Sequence, residues 1–379
     1  MRFPLAQALI AAVAVVGVVG AGVVLLPSAC NTKTGVVQAD APSSAPRRIP
    51  KIDVHTHIDP LVVMPVRDML RSYGIVRAVN LSGGSYGYGL EQTLLSSAPA
   101  GGYYLTFANV EFDTIGGPIW ANREILQLEH AKRLGAKGVK IPKVLGLGVL
   151  FQDGRRVPVD DPVLDPVFDA MARLGLPLSI HTGDPKAFFD AMTKKNERYE
   201  ELSAHPNWSF ADRKYYPSWE ELFGEFERRV KRSKSTTIIG VHFGNAPEDP
   251  ARVGRMLDEC PNYYIDTAAR VPEIGRKPAE TRKVILEHPD RVMFGTDLQI
   301  GPDMLVLGAG PPSGHSRKEV DRFFLSTWRF FETADRGFAH PTPIQGSWTI
   351  DGIDLPEDVL HKLYHGNAER LFGLPASRL

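Results

Sequence analysis

Eight short β-strand patterns alternate with amphipathic helix patterns from residue 49 onward, and this alternation predicts an α/β fold, a (β/α)8 TIM barrel. A His-Thr-His triplet also ends the first strand. In the alternative fold, an open doubly wound sheet, this strand would be followed by a phosphate-binding glycine fingerprint. Glycines at residues 83–89 follow the second strand without the spacing of that fingerprint. The strand candidates are Ile49–His55, Ile75–Leu81, Tyr103–Val110, Lys137–Ile141, Pro177–His181, Thr236–Val241, Tyr263–Asp266 and Val292–Gly295.

The helix patterns between these strands place charged residues on one side and apolar residues on the other. They include Ile119–Leu134, Leu164–Leu174, Arg252–Cys260 and Arg282–His288. Two longer segments interrupt the pattern, Lys186–Lys234 after the fifth strand and Ile300–Arg317 after the eighth. Loops after barrel strands surround the active site. The first insertion is rich in aromatic residues, and Trp208 makes it a candidate substrate-binding lid, the alternative being a small core of its own. The second is predicted to be a mobile rim.

The N-terminus predicts export or anchoring. From Ala8 to Leu26 no side chain is polar, and the length approaches the 20 or so residues of a membrane-spanning helix. Residues 1–30 are therefore interpreted as a signal peptide or membrane anchor of a periplasmic or otherwise extracytoplasmic protein. Cys30 follows Ser28-Ala29 as a lipidated cysteine of a bacterial lipoprotein would. Lipidation, simple cleavage and a retained helix all stay open.

Residues 31–48 are rich in Ala, Pro, Ser and Thr and are predicted to form a flexible linker to a catalytic domain at 49–379. The chain has 44 basic and 44 acidic residues, so no net field attracts nucleic acid. Its two cysteines, Cys30 and Cys260, do not suffice for a disulfide framework. The expected partner is a small-molecule substrate, and the membrane is expected only as an N-terminal tether.

His55 and His57 lie two residues apart on the first strand, so their side chains point to the same face. Neutral imidazoles are good ligands for zinc and similar divalent metals. The pair therefore indicates half of a metal site. The alternative is that the two histidines lie by chance on a solvated strand and bind no metal.

Other polar residues occupy the ends of later strands, which meet at one mouth of a barrel. They are Lys140 in the fourth strand, His181 after the fifth, His242 after the sixth and Asp297 after the eighth. The contexts of His181 and His242, Ile-His-Thr-Gly-Asp and Val-His-Phe-Gly-Asn, are alike. Four of the 11 histidines thus fall at strand ends, which predicts a shared site.

This constellation and the C-terminal His365–Gly373, His-Gly-Asn-Ala-Glu-Arg-Leu-Phe-Gly, resemble the amidohydrolase superfamily. The resemblance is to the amidohydrolase-2 branch that includes aminocarboxymuconate semialdehyde decarboxylase, and it covers about Ile49 to Gly373. It implies a metal-dependent TIM-barrel enzyme in which His55, His57, His181 and Asp297 hold the metal. It also implies that His242 acts on the metal-bound water, or binds a second ion in two-metal members.

Lys140 leaves the number of metals open, because two-metal relatives carboxylate a lysine at the end of the fourth strand to bridge their ions. We expect one divalent ion, zinc first, with a second ion at Lys140 and His242 as the alternative. Lys143 competes for the role of Lys140. Arg270, after the seventh strand, is a candidate clamp for a substrate carboxylate, with an ion pair at the rim as its alternative role.

Three imidazoles and one carboxylate leave room for a water, whose pKa zinc lowers to about 7. Asp297 is placed to accept a proton and His242 to stabilise developing charge. The sequence therefore predicts an exported metal-dependent hydrolase that cleaves a C–O or C–N bond, as in an ester, lactone or amide. A decarboxylase of the same branch is the first alternative, and a non-catalytic binding protein is the second.

Overall fold

The computed structural model describes residues 42–311 and 313–379. The predicted signal or anchor, and the predicted linker up to residue 41, lie outside the described residues. Within residues 42–48, Ser43 N–H donates to Asp335 Oδ2 at 3.0 Å and Arg47 N–H donates to Glu332 Oε2 at 2.6 Å. Among the described ranges, no helix is long and apolar enough to cross a membrane.

A curled sheet of ten strands dominates the described part of the chain, and its first eight strands are parallel neighbours in chain order. Each of the eight predicted strands is present, with ends that differ by a few residues. They are β1 (Lys51–Ile58), β2 (Ile75–Asn80), β3 (Tyr104–Asn109), β4 (Gly138–Ile141), β5 (Leu178–Ile180), β6 (Ile238–Gly240), β7 (Tyr263–Asp266) and β8 (Val292–Met293).

Backbone hydrogen bonds connect the two ends of this parallel run. Val54 N–H donates to Phe294 O at 3.0 Å, and Asp297 N–H donates to His55 O at 2.9 Å. The segment that follows β8 therefore lies against β1, and the sheet is TIM-barrel-like. The carboxyl ends of β1 to β8 face one mouth, as the sequence predicts.

Two further strands extend the sheet beyond β1. β9 (Leu298–Gly301) pairs in parallel with β1, and β10 (Met304–Leu307) pairs antiparallel with β9. The sequence predicts only a rim in this segment and misses the hairpin, because a four-residue apolar run cannot be told from a loop. A separate small sheet contains β11 (Phe338–Ala339) and β12 (Thr349–Ile350).

Helices follow most strands and cover the outside of the sheet. They are α1 (Val63–Ser72), α2 (Leu90–Ser97), α3 (Trp120–Leu134), α4 (Asp165–Leu174), α5 (Tyr199–Ala204), α6 (Trp219–Arg232), α7 (Val241–Gly244), α8 (Pro250–Glu259), α9 (Val271–Ile274), α10 (Pro278–Glu287), α11 (Arg317–Glu332), α12 (Glu357–His361) and α13 (Asn367–Phe372). Short 3-10 turns occupy Ala98–Ala100, Pro162–Leu164, Lys186–Phe189, Pro206–Trp208 and Pro343–Gln345, and a π-helical turn, Lys362–Gly366, joins α12 to α13.

The aromatic residues of the insertion pack into the main hydrophobic core. Phe188, Phe189 and Phe210 are buried, and α6 buries Trp219 at its first turn. A capping box at Ser218 starts α6, because the Ser218 side chain and that of Glu221 satisfy each other's backbone N–H groups. Packing in the main core is therefore favoured over both alternatives from the sequence, a small separate core and a lid of free aromatic side chains.

Candidate metal centre

His55 and His57 converge at the mouth and are each held through one ring nitrogen. Nδ1 of His55 is 2.9 Å from Asp266 Oδ2, and Nδ1 of His57 is 2.7 Å from Ser82 Oγ. Their Nε2 atoms lie 3.4 Å and 3.5 Å, respectively, from the same oxygen, Asp297 Oδ1. Partners on the far ring nitrogen fix the orientation of a ligating imidazole. Both rings therefore present Nε2 to one point beside Asp297.

Asp297 follows β8 in a left-handed backbone conformation, with φ of 61°. For a residue with a side chain this conformation costs on the order of 1–3 kcal/mol and persists only where the surroundings enforce it. Its N–H donates to His55 O at 2.9 Å, and its carbonyl accepts from Gly308 N–H at 3.2 Å. Burial raises the pKa of Asp297, although His55 and Lys140 oppose the rise.

The residues present fit a divalent metal ion. One ligand atom each from His55, His57 and Asp297 lies within 4.8 Å of the others. Ligands about 2.0–2.1 Å from a tetrahedral zinc stand about 3.3 Å apart, close to the Nε2–Oδ1 separations observed here. Burial is the main factor that lowers the pKa of His57 well below its ordinary value, so this imidazole is neutral and able to ligate.

His181 lies beside this group, and not within it. Its ring centroid is 4.3 Å from that of His242, and its Nε2 is 3.4 Å from Asp184 Oδ1. That contact lacks hydrogen-bond geometry, and the buried Nε2 has no hydrogen-bond partner among the described residues. Burial lowers the pKa of His181 to about 4, although Asp184 acts in the opposite direction. The role of His181 as the fourth ligand stays a prediction.

His242 occupies a left-handed turn within α7, with φ of 57° and ψ of 51°. Its N–H donates to Asp266 Oδ1 at 2.8 Å, and its Nδ1 is 2.9 Å from Ala268 O. Because a carbonyl only accepts, Nδ1 carries the hydrogen and Nε2 keeps its lone pair. Burial first, and then the charge of Arg270, lower the pKa of His242 well below its ordinary value. The His242 ring is therefore a neutral base, and its centroid lies 4.9 Å from that of the His55 ring.

Asp266, at the end of β7, was not predicted as a site residue. Its carboxylate forms a second group with His55 and His242, in which ligand atoms lie within 4.8 Å of one another. Both oxygens are already engaged, because Oδ2 faces His55 Nδ1 and Oδ1 accepts from the N–H groups of His242 and Ala268. Asp266 therefore supports two histidines. Its place at a strand end was the signal in the sequence.

Lys140 is buried at the end of β4, and its Nζ has no hydrogen-bond partner within residues 42–311 and 313–379. Burial lowers its pKa to about 8, against the attraction of Asp266 and Asp297. A buried ammonium without a partner costs free energy unless a ligand meets it. Lys140 is thus available to a metal-bridging carbamate or to an anionic substrate.

Asp184, which was also not predicted as a site residue, contacts the two other cationic candidates, Lys143 and Arg270. Lys143 Nζ is 2.6 Å from its Oδ2, and an Arg270 guanidinium nitrogen is 3.7 Å from its Oδ1. Burial would raise the pKa of Asp184, but Lys143, His181 and Arg270 outweigh it and lower the pKa. Trp208 lies against this cluster, with Lys143 Nζ 4.8 Å from its ring centroid. The structure therefore places Arg270 and Trp208 beside the His181 side of the site.

Comparisons with known proteins identify the family and the fold. The amidohydrolase family model (Amidohydro_2) matches residues 112–374. A comparison with curated protein sequences gives no significant match.

Solved structures show the same fold at low identity. One is 2,6-dihydroxybenzoate decarboxylase in complex with 2,6-dihydroxybenzoate, with 15% identity and a TM-score of 0.50, covering 86% of this chain and 100% of that chain. Another is dihydroxybenzoic acid decarboxylase from Polaromonas sp. JS666 with bound manganese and 2-nitroresorcinol. It has 14% identity and a TM-score of 0.52, and covers 87% of this chain and 98% of that one.

Proposed function

The chain belongs to the amidohydrolase family, and from that premise we propose that it is a metal-dependent hydrolase of a C–O or C–N bond in a small molecule. The observation that carries the proposal is the placement of two proton-handling groups around the ligand set. Asp297 faces the Nε2 atoms of His55 and His57, while His242 keeps a free Nε2 on the neighbouring ring. A general base and a second polar group at one centre are what hydrolysis by water requires.

His55, His57 and Asp297 are proposed to hold the ion, with His181 turning from Asp184 as the fourth ligand. When bound, a zinc or similar divalent ion supplies a Lewis acid that makes water nucleophilic at neutral pH. One ion is proposed. A second ion at Lys140 and His242 is the alternative, because Lys140 has no hydrogen-bond partner in the described part of the chain.

The protein side of the reaction then follows from the positions of the carboxylate and the imidazole. Asp297 accepts a proton from water while the water oxygen forms a bond to the carbonyl carbon of the substrate. Asp297 later returns that proton to the leaving oxygen or nitrogen. The Asp297 carboxylate lies beside both imidazoles and is the general base for this transfer. His242 remains neutral, and the lone pair on its Nε2 accepts a hydrogen bond from the water and orients it. Asp266 keeps His55 in the required tautomer, and the carbonyl of Ala268 does the same for His242.

A decarboxylase is the second candidate, and the buried cations favour it. Lys140 and Arg270 are each almost fully buried at the mouth, where a carboxylated substrate would meet them. Arg270 is already close to Asp184, but the Lys140 ammonium is not hydrogen-bonded to any described residue. The named fold neighbours are decarboxylases, and at 14–15% identity this likeness supports the fold and leaves the reaction to experiment.

A hydrolase and a decarboxylase differ in whether oxygen from water enters the organic product. We would load the purified protein with zinc or manganese and screen esters, lactones, amides and carboxylated aromatics in ¹⁸O-labelled water. A hydrolase incorporates one labelled oxygen into the product and releases no carbon dioxide. Release of carbon dioxide without label in the organic product would replace the hydrolase proposal with the decarboxylase.

We also propose that residues 1–30 export the chain and tether it to a membrane, by lipidation at Cys30 or by a retained helix. The uncharged run from Ala8 to Leu26 supports this proposal. Cell fractionation tests it, because Cys30→Ala should release a lipidated protein from the membrane fraction. Unchanged anchoring would favour the retained helix, and recovery of both proteins with the cytoplasm would reject export.

A further inference from the structure

The C-terminal helical run carries a pair of histidines at the end of the sheet opposite the mouth. α12, the π-helical turn and α13 follow one another without a break from Glu357 to Phe372. Asn367 ties this run to the amino end of β8, since its Nδ2 donates to Pro289 O at 2.8 Å and to Val292 O at 2.7 Å. Asn367 therefore anchors the terminal helix and lies away from the substrate.

The π-helical turn has a structural cause. The N–H of Asn367 bonds to Lys362 O, five residues back, and not to Leu363 O as in an α-helix. The carbonyl of Leu363 is thereby free to accept from Phe294 N–H at 3.0 Å, just after β8. Docking on the sheet thus holds residues 361–366 in a fixed and unusual geometry.

His361 and His365 face each other across this turn. Nδ1 of His361 is 3.1 Å from Nε2 of His365. Two nitrogens bound to one tetrahedral zinc at about 2.0–2.1 Å would stand about 3.3 Å apart. Chelation therefore requires almost no movement of the two rings.

A carboxylate also lies near the other ring nitrogen of each histidine. Nδ1 of His365 is 3.1 Å from Glu369 Oε1, and Nε2 of His361 is 3.9 Å from Glu357 Oε1. Neither contact is a hydrogen bond, and the buried Nδ1 of His365 has no hydrogen-bond partner among the described residues. The two carboxylates therefore supply negative charge beside the pair, which favours a bound cation.

We propose that His361 and His365 form a second metal site, which takes a late first-row divalent ion such as Ni²⁺, Cu²⁺ or Zn²⁺. Imidazole pairs suit these ions, and Mg²⁺ or Ca²⁺ would need oxygen ligands in their place. The ion replaces the hydrogen shared by His361 Nδ1 and His365 Nε2. The proton of His361 moves to its own Nε2, towards Glu357, so both facing nitrogens offer lone pairs.

The surroundings accept a cation with water in its other positions. The His361 side chain is 46% exposed, which leaves room for solvent ligands. The cations beside the pair are already paired, because Lys362 Nζ is 3.0 Å from Asp290 Oδ1 and an Arg47 nitrogen is 3.6 Å from Glu357 Oε2. Repulsion of the incoming ion is reduced accordingly.

The test titrates Ni²⁺ and Cu²⁺ into the untagged full chain by calorimetry, and compares His361→Gln and His365→Gln with wild type. Each variant should lose one equivalent of binding or show at least a tenfold weaker affinity for it. His130→Gln is the matched control, because His130 is a surface histidine on α3 with Leu126 and Leu134 four residues away. It should bind as wild type does.

Electron paramagnetic resonance of bound Cu²⁺ provides a second readout. The wild-type spectrum minus the His365→Gln spectrum should show nitrogen coupling from two imidazoles, and Glu369→Gln should weaken binding without removing it. Binding that is unchanged in both histidine variants would overturn the proposal. So would a difference spectrum with no nitrogen coupling, even if a variant were less stable.

Discussion

The two ends of the barrel bury polar groups in different ways. At the mouth, Lys140 Nζ and His181 Nε2 are buried and lack a hydrogen-bond partner in the described ranges. At the opposite end, Lys51 Nζ donates to Ile49 O at 2.9 Å and lies 4.5 Å from the Trp328 ring centroid, and Asn367 Nδ2 serves two carbonyls. A buried polar atom without a partner costs free energy, whereas a paired one contributes to stability. The mouth is therefore built for a ligand, whereas Lys51 and Asn367 at the opposite end contribute to stability.

Asp297→Asn should show the largest effect. The substitution removes a charged metal ligand and the proton acceptor together, so we expect turnover to fall by more than about 10⁴-fold, beyond what one acid/base group contributes. Metal content by elemental analysis should fall as well. Asp303→Asn, in the exposed turn between β9 and β10, is the matched control and should retain both. Full activity in Asp297→Asn would remove this residue from the mechanism.

His242→Asn should reduce kcat by about 10²- to 10⁴-fold, the contribution of a general acid/base group. The metal should remain bound, because His242 is not among the proposed ligands of the first ion. Steady-state kinetics with parallel metal analysis measures both quantities. If the variant loses one of two ions, His242 belongs to a two-metal centre.

Asn367→Ala tests the opposite end and should lower the free energy of unfolding by about 2–4 kcal/mol, because two buried carbonyls lose their donor. Activity per folded molecule should not change. Lys140→Met is the contrast at the mouth, where removal of a poorly compensated buried charge should leave stability equal or higher. Urea unfolding of both variants gives the answer, and a larger loss in Lys140→Met would reverse the assignment of the two ends.

Lys51 should give the smallest effect, visible as a pH dependence of stability. Burial lowers its pKa from 10.5 to about 8 in the folded protein, although Glu332 opposes the shift. Between these values the unfolded chain binds more protons, so the unfolding free energy should rise with pH. The rise attributable to Lys51 is on the order of 1 kcal/mol from pH 8 to pH 9. This rise should be missing from Lys51→Met. An equal dependence of the unfolding free energy on pH in the two proteins would show that Lys51 does not titrate between pH 8 and pH 9.

The sequence could predict the strands of the sheet and part of the candidate metal centre. Strands β1 to β8 were predictable because each is a short apolar run bounded by turn residues. The convergence of His55 and His57 followed from alternation on β1, and that of Asp297 from its place after β8. The hairpin β9–β10 was missed because its strands are short.

The support around the site could not be predicted in the same way. Asp184 and Asp266 act through contacts with residues distant in the chain, as between Asp266 and His55, and no local pattern encodes such contacts. The left-handed angles of His242 and Asp297 were also hidden, since local sequence normally assigns positive φ to glycine or asparagine. Tertiary contacts impose them here.

The most direct test of the metal centre is anomalous diffraction from crystals of the full chain soaked in Zn²⁺ or Mn²⁺. We predict a strong peak at the mouth, about 2.0–2.2 Å from the Nε2 atoms of His55 and His57 and from a carboxylate oxygen of Asp297. His181 should be turned from Asp184 towards the same peak. Crystals in which these side chains converge on no peak, or in which the ion binds elsewhere at the mouth, would contradict the account.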